Sequence, residues 1–185
     1  DGDLIELLDG VTMRALDDSG QVIKADKATW KPQLEMLFLN GNPVASNHTQ
    51  QISAETATYS AASNELRLNE NVVLKSWDQK IDNSTKPGLT IYSKNAFWNT
   101  ESGVFTASGP ISGYQRNNDD PRKVRLLGAS SLRGNSKAQW IDFLAPVTVK
   151  EPIDNLDINS GDVRWWIKKK QLVSDTKVSG TFNQA

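Results

Sequence analysis

Nine residues and one aromatic position of a segment return in order, without a gap, 29 positions further along the chain. Ile23, Ala25, Ala28, Thr29, Trp30, Leu37, Leu39, Asn40, Asn42 and Val44 reappear as Ile52, Ala54, Ala57, Thr58, Tyr59, Leu66, Leu68, Asn69, Asn71 and Val73. Self-similarity at a fixed period marks a supersecondary unit that cannot bury its apolar face alone and must stack on its neighbours. The molecule is therefore predicted to be elongated. Weaker copies follow: Ile91, Ser93, Ala96, Phe97 and Trp98 restate the first half of the unit and Val104 to Ile111 the second, and Val124 to Val149 and Leu156 to Val178 repeat it with drift. Short anchors close successive units, at Asp9-Gly10-Val11, Asn42-Pro43-Val44, Asn71-Val72-Val73, Gly109-Pro110-Ile111, Ala145-Pro146-Val147 and Thr176-Lys177-Val178. They divide the chain into about six units.

Within a unit the apolar residues alternate, as in Ile52-x-Ala54, Ala57-x-Tyr59 and Leu66-x-Leu68, which is the period of a strand with one buried face. Between Ala54 and Ala57 the parity slips by one. That slip would turn every following side chain outward unless a corner or bulge absorbs it, so a bend is expected there in every unit. Turn chemistry at Ser60-Ala61-Ala62-Ser63-Asn64, Asn99-Thr100-Glu101-Ser102-Gly103 and Arg133-Gly134-Asn135-Ser136 joins runs that read as strands. Pro43, Pro110 and Pro146 share the anchor position, where a strand start tolerates a missing N–H. No run holds helical periodicity. Leu4-Ile5-x-Leu7-Leu8 reads better as a strand than as a helical turn. The fold class is all-β: a mainly antiparallel sheet structure of about six two-strand repeats, within one domain over residues 1–185.

A formal charge of -1 with scattered Lys and Arg leaves no electrostatic footprint for nucleic acid. No stretch approaches the roughly 18 apolar residues of a membrane span, and the first residues lack the layout of a signal peptide. The absence of Cys excludes a disulfide framework and a thiolate metal site. His48, the single histidine, sits among polar residues with no motif pairing it to a nucleophile, so neither a catalytic triad nor a multi-histidine metal site has material to build on. Asn117-Asn118-Asp119-Asp120-Pro121 and Asp154-Asn155-Leu156-Asp157 lack calcium-loop spacing and read as solvated turns. No catalytic residue, metal or cofactor is predicted. Asn47-His48-Thr49 and Asn83-Ser84-Thr85 match glycosylation sequons.

Trp30, Trp98 and Trp165 share the repeat position that Tyr59 fills, which predicts a stacked aromatic row inside the structure. Trp166 must then point to the opposite face, beside Lys168-Lys169-Lys170: either a solvated basic turn or an exposed aromatic and cations set for a phosphate-bearing partner or membrane surface. Trp platforms beside Asp and Glu would instead suit a carbohydrate-binding or carbohydrate-active β-solenoid, the alternative reading.

The segment Ile52-Ser53-Ala54-Glu55-Thr56-Ala57-Thr58-Tyr59, followed by Asn64 to Leu74, resembles the repeat of the periplasmic lipopolysaccharide-transport proteins, the Lpt or OstA-like family, and residues 89 to 114 continue the match. It is most similar to the LptC branch, with LptA as the alternative. The fifth unit fits least well, because Gly128, Ser131 and Arg133 stand where the Ala, Ala and aromatic are expected. The resemblance implies an open β-jellyroll folded like a taco, a non-enzymatic carrier that shields acyl chains of lipopolysaccharide, and edge-to-edge assembly into a periplasmic bridge between the membranes. It further implies contact with an LptA-like protein and with the β-domains of an ATP-driven inner-membrane transporter. An N-terminal inner-membrane anchor, lying outside this sequence, would complete an LptC.

Alternation and stacking place Ile23, Ala25, Trp30, Leu37, Leu39, Ile52, Ala54, Tyr59, Leu66, Leu68 and Val73 on one apolar slit, continued by Ile91, Trp98, Val104 and Ile111. The first and last strands of an unclosed sheet keep unpaired N–H and C=O groups, a template for strand addition or self-association. Leu4, Leu7, Val11 and Met13 mark one predicted edge, and Leu172, Val178 and Phe182 the other.

Overall fold

The predicted bend is the organising feature of the molecule: chain segments cross one layer, turn a corner and continue in a second layer. The computed structural model describes residues 4–14, 20–77, 81, 86–116, 120, 122–169 and 171–182, the side chain of Phe182 excepted. The second sequon and parts of the Asn117–Pro121 and Lys168–Lys170 runs lie outside the described residues.

The first corner joins β1 (Ile5–Leu7) to β2 (Val11–Arg14), and the next joins β3 (Val22–Ala25) to β4 (Lys27–Lys31). Then come β5 (Met36–Asn40) with β6 (Val44–Ser46), and β7 (Gln50–Ser53) with β8 (Thr56–Ser60). The central strands β9 (Glu65–Ser76) and β10 (Leu89–Asn99) run through the corner unbroken. After them β11 (Val104–Ser108) leads to β12 (Ile111–Arg116), and β13 (Val124–Ala129) to β14 (Ser131–Asn135). The chain ends with β15 (Trp140–Leu144) and β16 (Val147–Glu151), β17 (Leu156–Ser160) and β18 (Val163–Trp166), then β19 (Gln171–Val173) and β20 (Val178–Phe182). A single 3₁₀ turn, Pro32–Leu34, is the helical element among the described residues.

Every pairing is antiparallel, and all 20 strands belong to one hydrogen-bonded sheet folded along its corners. The first layer runs β1-β4-β5-β8-β9-β10-β11-β14-β15-β18-β19. The second runs β2-β3-β6-β7-β9-β10-β12-β13-β16-β17-β20. At about 4.8 Å between strands each layer extends on the order of 50 Å. The corners form a spine along one side, and the hairpin turns of both layers face each other along the other, where the molecule opens. This is the open β-jellyroll expected from the sequence.

Two kinds of corner explain the alternation. Where the chain passes from the second layer to the first, parity slips: inward residues are Ile23 and Ala25 and then Ala28 and Trp30, or Ile91 and Ser93 and then Ala96 and Trp98, the latter across a register shift between Ser93 and Asn95. On the return, parity is kept and left-handed residues make the turn: Asp9 and Gly10, Gly41 and Asn42, Glu70 and Asn71, with φ between 52° and 88°. Asn and Gly suit that conformation best. At Gly41 a side chain would also overlap the Asp26 carboxylate. The spine is stitched by backbone bonds, Gly10 N–H to Asp26 O at 3.0 Å and Glu55 N–H to Glu70 O at 3.0 Å, and by Asn71 donating to the Glu55 carboxylate.

Because return corners keep parity, the anchor residues fall into two classes. Val11, Ile111 and Val147 are buried, whereas in the second and third units Pro43 and Val72 hold the buried place and Val44 and Val73 do not. Val73 therefore faces outward, a correction to its expected place in the slit. Val104 is corrected likewise: β11 turns Phe105 and Ala107 inward, leaving Val104 42% exposed on the outer face.

Candidate functional site

Between the layers lies an elongated cavity of about 640 Å³, open along the mouth and lined mainly by apolar side chains, with Gln50, Ser76 and Thr100 among the polar ones. Its walls are rows of cross-strand neighbours. On the first layer, Ile5 pairs with Trp30, Trp30 with Leu37, Leu37 with Tyr59 and Tyr59 with Leu66. The row continues from Leu66 to Trp98 and from Trp98 to Phe105. Aromatic and aliphatic side chains thus interleave, the cross-strand combination that stabilises a sheet face. The Tyr59 hydroxyl finds its partner at the rim, donating to Asn64 Oδ1 at 3.2 Å. The facing row of the second layer passes from Met13 to Ile23, Ala45, Ile52, Leu74 and Ile91.

Of the residues assigned to the slit from sequence, Ile23, Trp30, Leu37, Ile52, Tyr59, Leu66, Ile91 and Trp98 line this cavity. Ala25, Leu39, Ala54, Leu68 and Ile111 are buried deeper, in the packed seam where the layers converge on the spine. Small residues there, Ala25, Ala28, Ala54 and Ala57, let the two layers approach. Val72, Leu74, Leu89, Ala45 and Phe105 also line the cavity and were missed. Phe105-x-Ala107 repeats Leu66-x-Leu68, so the signal was present one position from Val104.

The fifth unit acquires a register. Gly134, not Arg133, occupies the aromatic position, paired with Phe105 on one side and Ile141 on the other. The Phe105 ring lies over Gly134 where a side chain would otherwise stand. Ile141 and Trp165 extend the first-layer wall beyond it. The second-layer wall ends at Leu89 and Ile91. Past that point the layers pack against each other through Leu127, Phe143, Val147 and Val149.

At the ends, β1 pairs only with β4 and β2 only with β3, while β19 pairs only with β18 and β20 only with β17, among the described residues. Leu4 and Leu7 are exposed at the first end. Val11 turns its side chain into the core, and Met13 lines the cavity. At the other end Leu172 packs on the core, Val178 is half exposed, and Phe182 pairs with Leu156.

Outside the slit, Trp140 and Trp166 are cross-strand partners on the outer face, opposite in direction to Trp165. The Arg164 guanidinium lies 4.6 Å and 5.4 Å from their ring centres. Lys169 is 5.2 Å from the Trp166 ring. Asp142 is buried between Arg164, at 2.6 Å, and Arg133, at 3.3 Å. The Arg164 hydrogen bonds, assisted by Arg133, hold its carboxyl below the ordinary range against the opposing effect of burial. These tryptophans are covered by cations and stand beside a carboxylate already engaged by two arginines, which is not the arrangement of a sugar platform with a free acid pair. His48 is exposed in the turn between β6 and β7, which Asn47 Oδ1 shapes by accepting from Thr49 N–H and Gln50 N–H at 2.9 Å and 2.8 Å. No helix among the described residues is long and apolar enough to cross a membrane.

The family described as lipopolysaccharide-assembly, LptC-related, matches residues 7–150, which contain nearly all of the cavity wall. No curated protein matches the chain. Among solved structures it is similar to LptH of Pseudomonas aeruginosa, the LptA homologous periplasmic component of the lipopolysaccharide transport device, at 10% identity and a TM-score of 0.41, over 89% of this chain and 95% of that one.

Proposed function

The chain belongs to the lipopolysaccharide-assembly, LptC-related family, and from that premise we propose that its slit is a lipid path: acyl chains of lipopolysaccharide enter between the layers and are shielded there during passage across the periplasm. The observation that carries this reading is the continuous apolar lining of an open cavity, on both walls, from Met13 to Trp98. Each methylene moved from water into such a lining is worth about 0.8 kcal/mol. A slit open along its length buries a chain only partly, which keeps release within reach of an external energy source. The protein performs no covalent chemistry in this scheme; it binds, orients and excludes water as one domain.

The terminal strands supply the connections. Strand addition at β1 and β2 would join the inner-membrane transporter's β-domains, and addition at β19 and β20 an LptA-like bridge protein or another copy of the chain. The working location is the periplasmic face of the inner membrane, held by an N-terminal anchor.

A photo-crosslinking residue at Leu66, on the cavity wall, captures lipopolysaccharide, and one at its outward neighbour Arg67 does not. Equal capture at the two positions would overturn the lipid path.

A further inference from the structure

The two lips of the slit differ in chemistry. The first-layer lip is the aromatic row; the corresponding row of the second layer passes from Gln50 to Ser76, Leu89, Gln115 and Arg125, in register. Glu151 stands beside Arg125 on the next strand, β16, whose inward positions are Val147, Val149 and Glu151. It is 8% exposed, an unusual position for a carboxylate facing an apolar interior.

Arg125 is held only loosely. Its Nη2 lies 3.7 Å from Glu151 Oε2, and its Nη1 donates to Gln115 Oε1 at 3.3 Å. A well-formed guanidinium–carboxylate bond is nearer 2.8 Å, and the group carries five donors. Gln115, Arg125 and Glu151 thus offer an amide, donors to spare and an acceptor, together, immediately beyond Leu89 where the second-layer wall of the cavity ends.

We infer that this trio is a head-group subsite that recognises sugar hydroxyls of an amphiphile whose chains lie in the slit. The inference rests on the lipid-path reading and adds which lip takes the head and what it recognises. A hydroxyl both donates and accepts, so it can donate to Glu151 while accepting from Arg125, and Gln115 serves either need. An anion on Arg125 would instead meet the Glu151 carboxylate, which disfavours a phosphate as the recognised group. At the aromatic lip the polar groups, the Tyr59 hydroxyl, the Asn64 amide and the Glu101 carboxylate, are already bonded to one another, whereas Arg125 is held loosely, so the amphiphile has a fixed orientation: chains beneath the Trp30–Trp98 lip, glycosyl head over β12, β13 and β16.

Three amphiphiles with one dodecyl chain test this: dodecyl maltoside, dodecyldimethylamine oxide and dodecyl phosphate, each titrated below its micelle concentration against a fluorescent probe bound to the slit. The wild-type chain prefers the maltoside. Arg125→Ala and Glu151→Ala each lower maltoside affinity about tenfold, the loss of a hydrogen bond to a charged group, and leave the amine oxide within about twofold. Glu151→Gln keeps part of the preference, because its amide oxygen still accepts, and thermal melts of the variants confirm folding. A parallel loss for maltoside and amine oxide would overturn the subsite, and so would an Arg125-dependent preference for the phosphate. If none of the three binds the wild-type chain, the lipid path itself fails, and the subsite with it.

Discussion

Filling the slit separates the proposed amphiphile binding from stability, and Ala45 is the place to do it. It lines the cavity between Ile23 and Ile52, its cross-strand neighbours, facing the aromatic wall. Ala45→Trp projects an indole into space that a chain would occupy. A ring spanning about four methylenes removes about 3 kcal/mol of chain burial at 0.8 kcal/mol each, or on the order of 200-fold in affinity. The fold loses nothing, since the ring packs on apolar neighbours and displaces no side chain of the core, so the melting temperature stays level or rises. The matching control is Val73→Trp, at the position that the repeat placed inside and the strand register places outside. Titration of a fluorescent dodecyl amphiphile, beside circular-dichroism melts, reads both effects. A comparable affinity loss from Val73→Trp, or none from Ala45→Trp in a folded protein, would refute the lining and the register together.

The packed spine behaves in the opposite way: Leu39→Ala, at a residue 1% exposed, costs about 2–5 kcal/mol in chemical denaturation. Gly134→Val forces a side chain against the Phe105 ring and to within 2.7 Å of the Trp140 carbonyl, so it destabilises by about 2 kcal/mol or more, measured the same way. Because the carboxyl of Asp142 titrates below its ordinary value of 3.8, its contribution is present above that value and lost as pH falls through the lower folded value. Asp142→Asn is therefore less stable than wild type near neutrality by about 1–2 kcal/mol, and the gap closes below about pH 4 in pH-dependent denaturation. If the first edge takes the transporter β-domains as proposed, Leu4→Lys with Leu8→Lys, at residues 50% and 58% exposed there, weakens their capture in a pull-down without lowering the melting temperature.

The repeat made the fold legible because a corner leaves a mark in sequence. Ala54 and Ala57 slip in parity, and a slip of one is compatible with a buried face only if the backbone bends. The return corner leaves no such mark, since Leu68 and Val72 keep the same parity through Glu70 and Asn71. Aligning anchors on their valines therefore put Val73 with Val11, although Val72 is its equivalent. Drift hid the rest: in the fifth unit the aromatic is replaced by a glycine whose space a neighbouring strand's Phe105 fills, a compensation visible only across strands. The lip residues Gln115, Arg125 and Glu151 gave no signal because they lie 10 and 26 residues apart along the chain, on three strands whose register decides their meeting.

On the proposed lipid path, the division of the interior into an open and a packed half follows from what a carrier must do with one sheet. A domain of this size is stabilised by a small surplus of burial over chain entropy, and every apolar side chain left lining a slit withholds its share. The C-terminal half compensates: Ile141, Phe143, Val147 and Val149 are nearly inaccessible and pack layer to layer, with Trp165 closing against them. The N-terminal half retains a packed seam along the spine, through Ala28, Leu39, Ala57 and Leu68, and gives up the outer row to the cavity. Destabilisation by large-to-small substitution should accordingly be steep at Phe143 and shallow at Ile23, while loss of amphiphile binding should run the other way. Denaturation and titration of Phe143→Ala and Ile23→Ala measure both gradients. Parallel effects at the two positions would mean that binding and folding draw on the same contacts, contrary to a slit held open by a separate core.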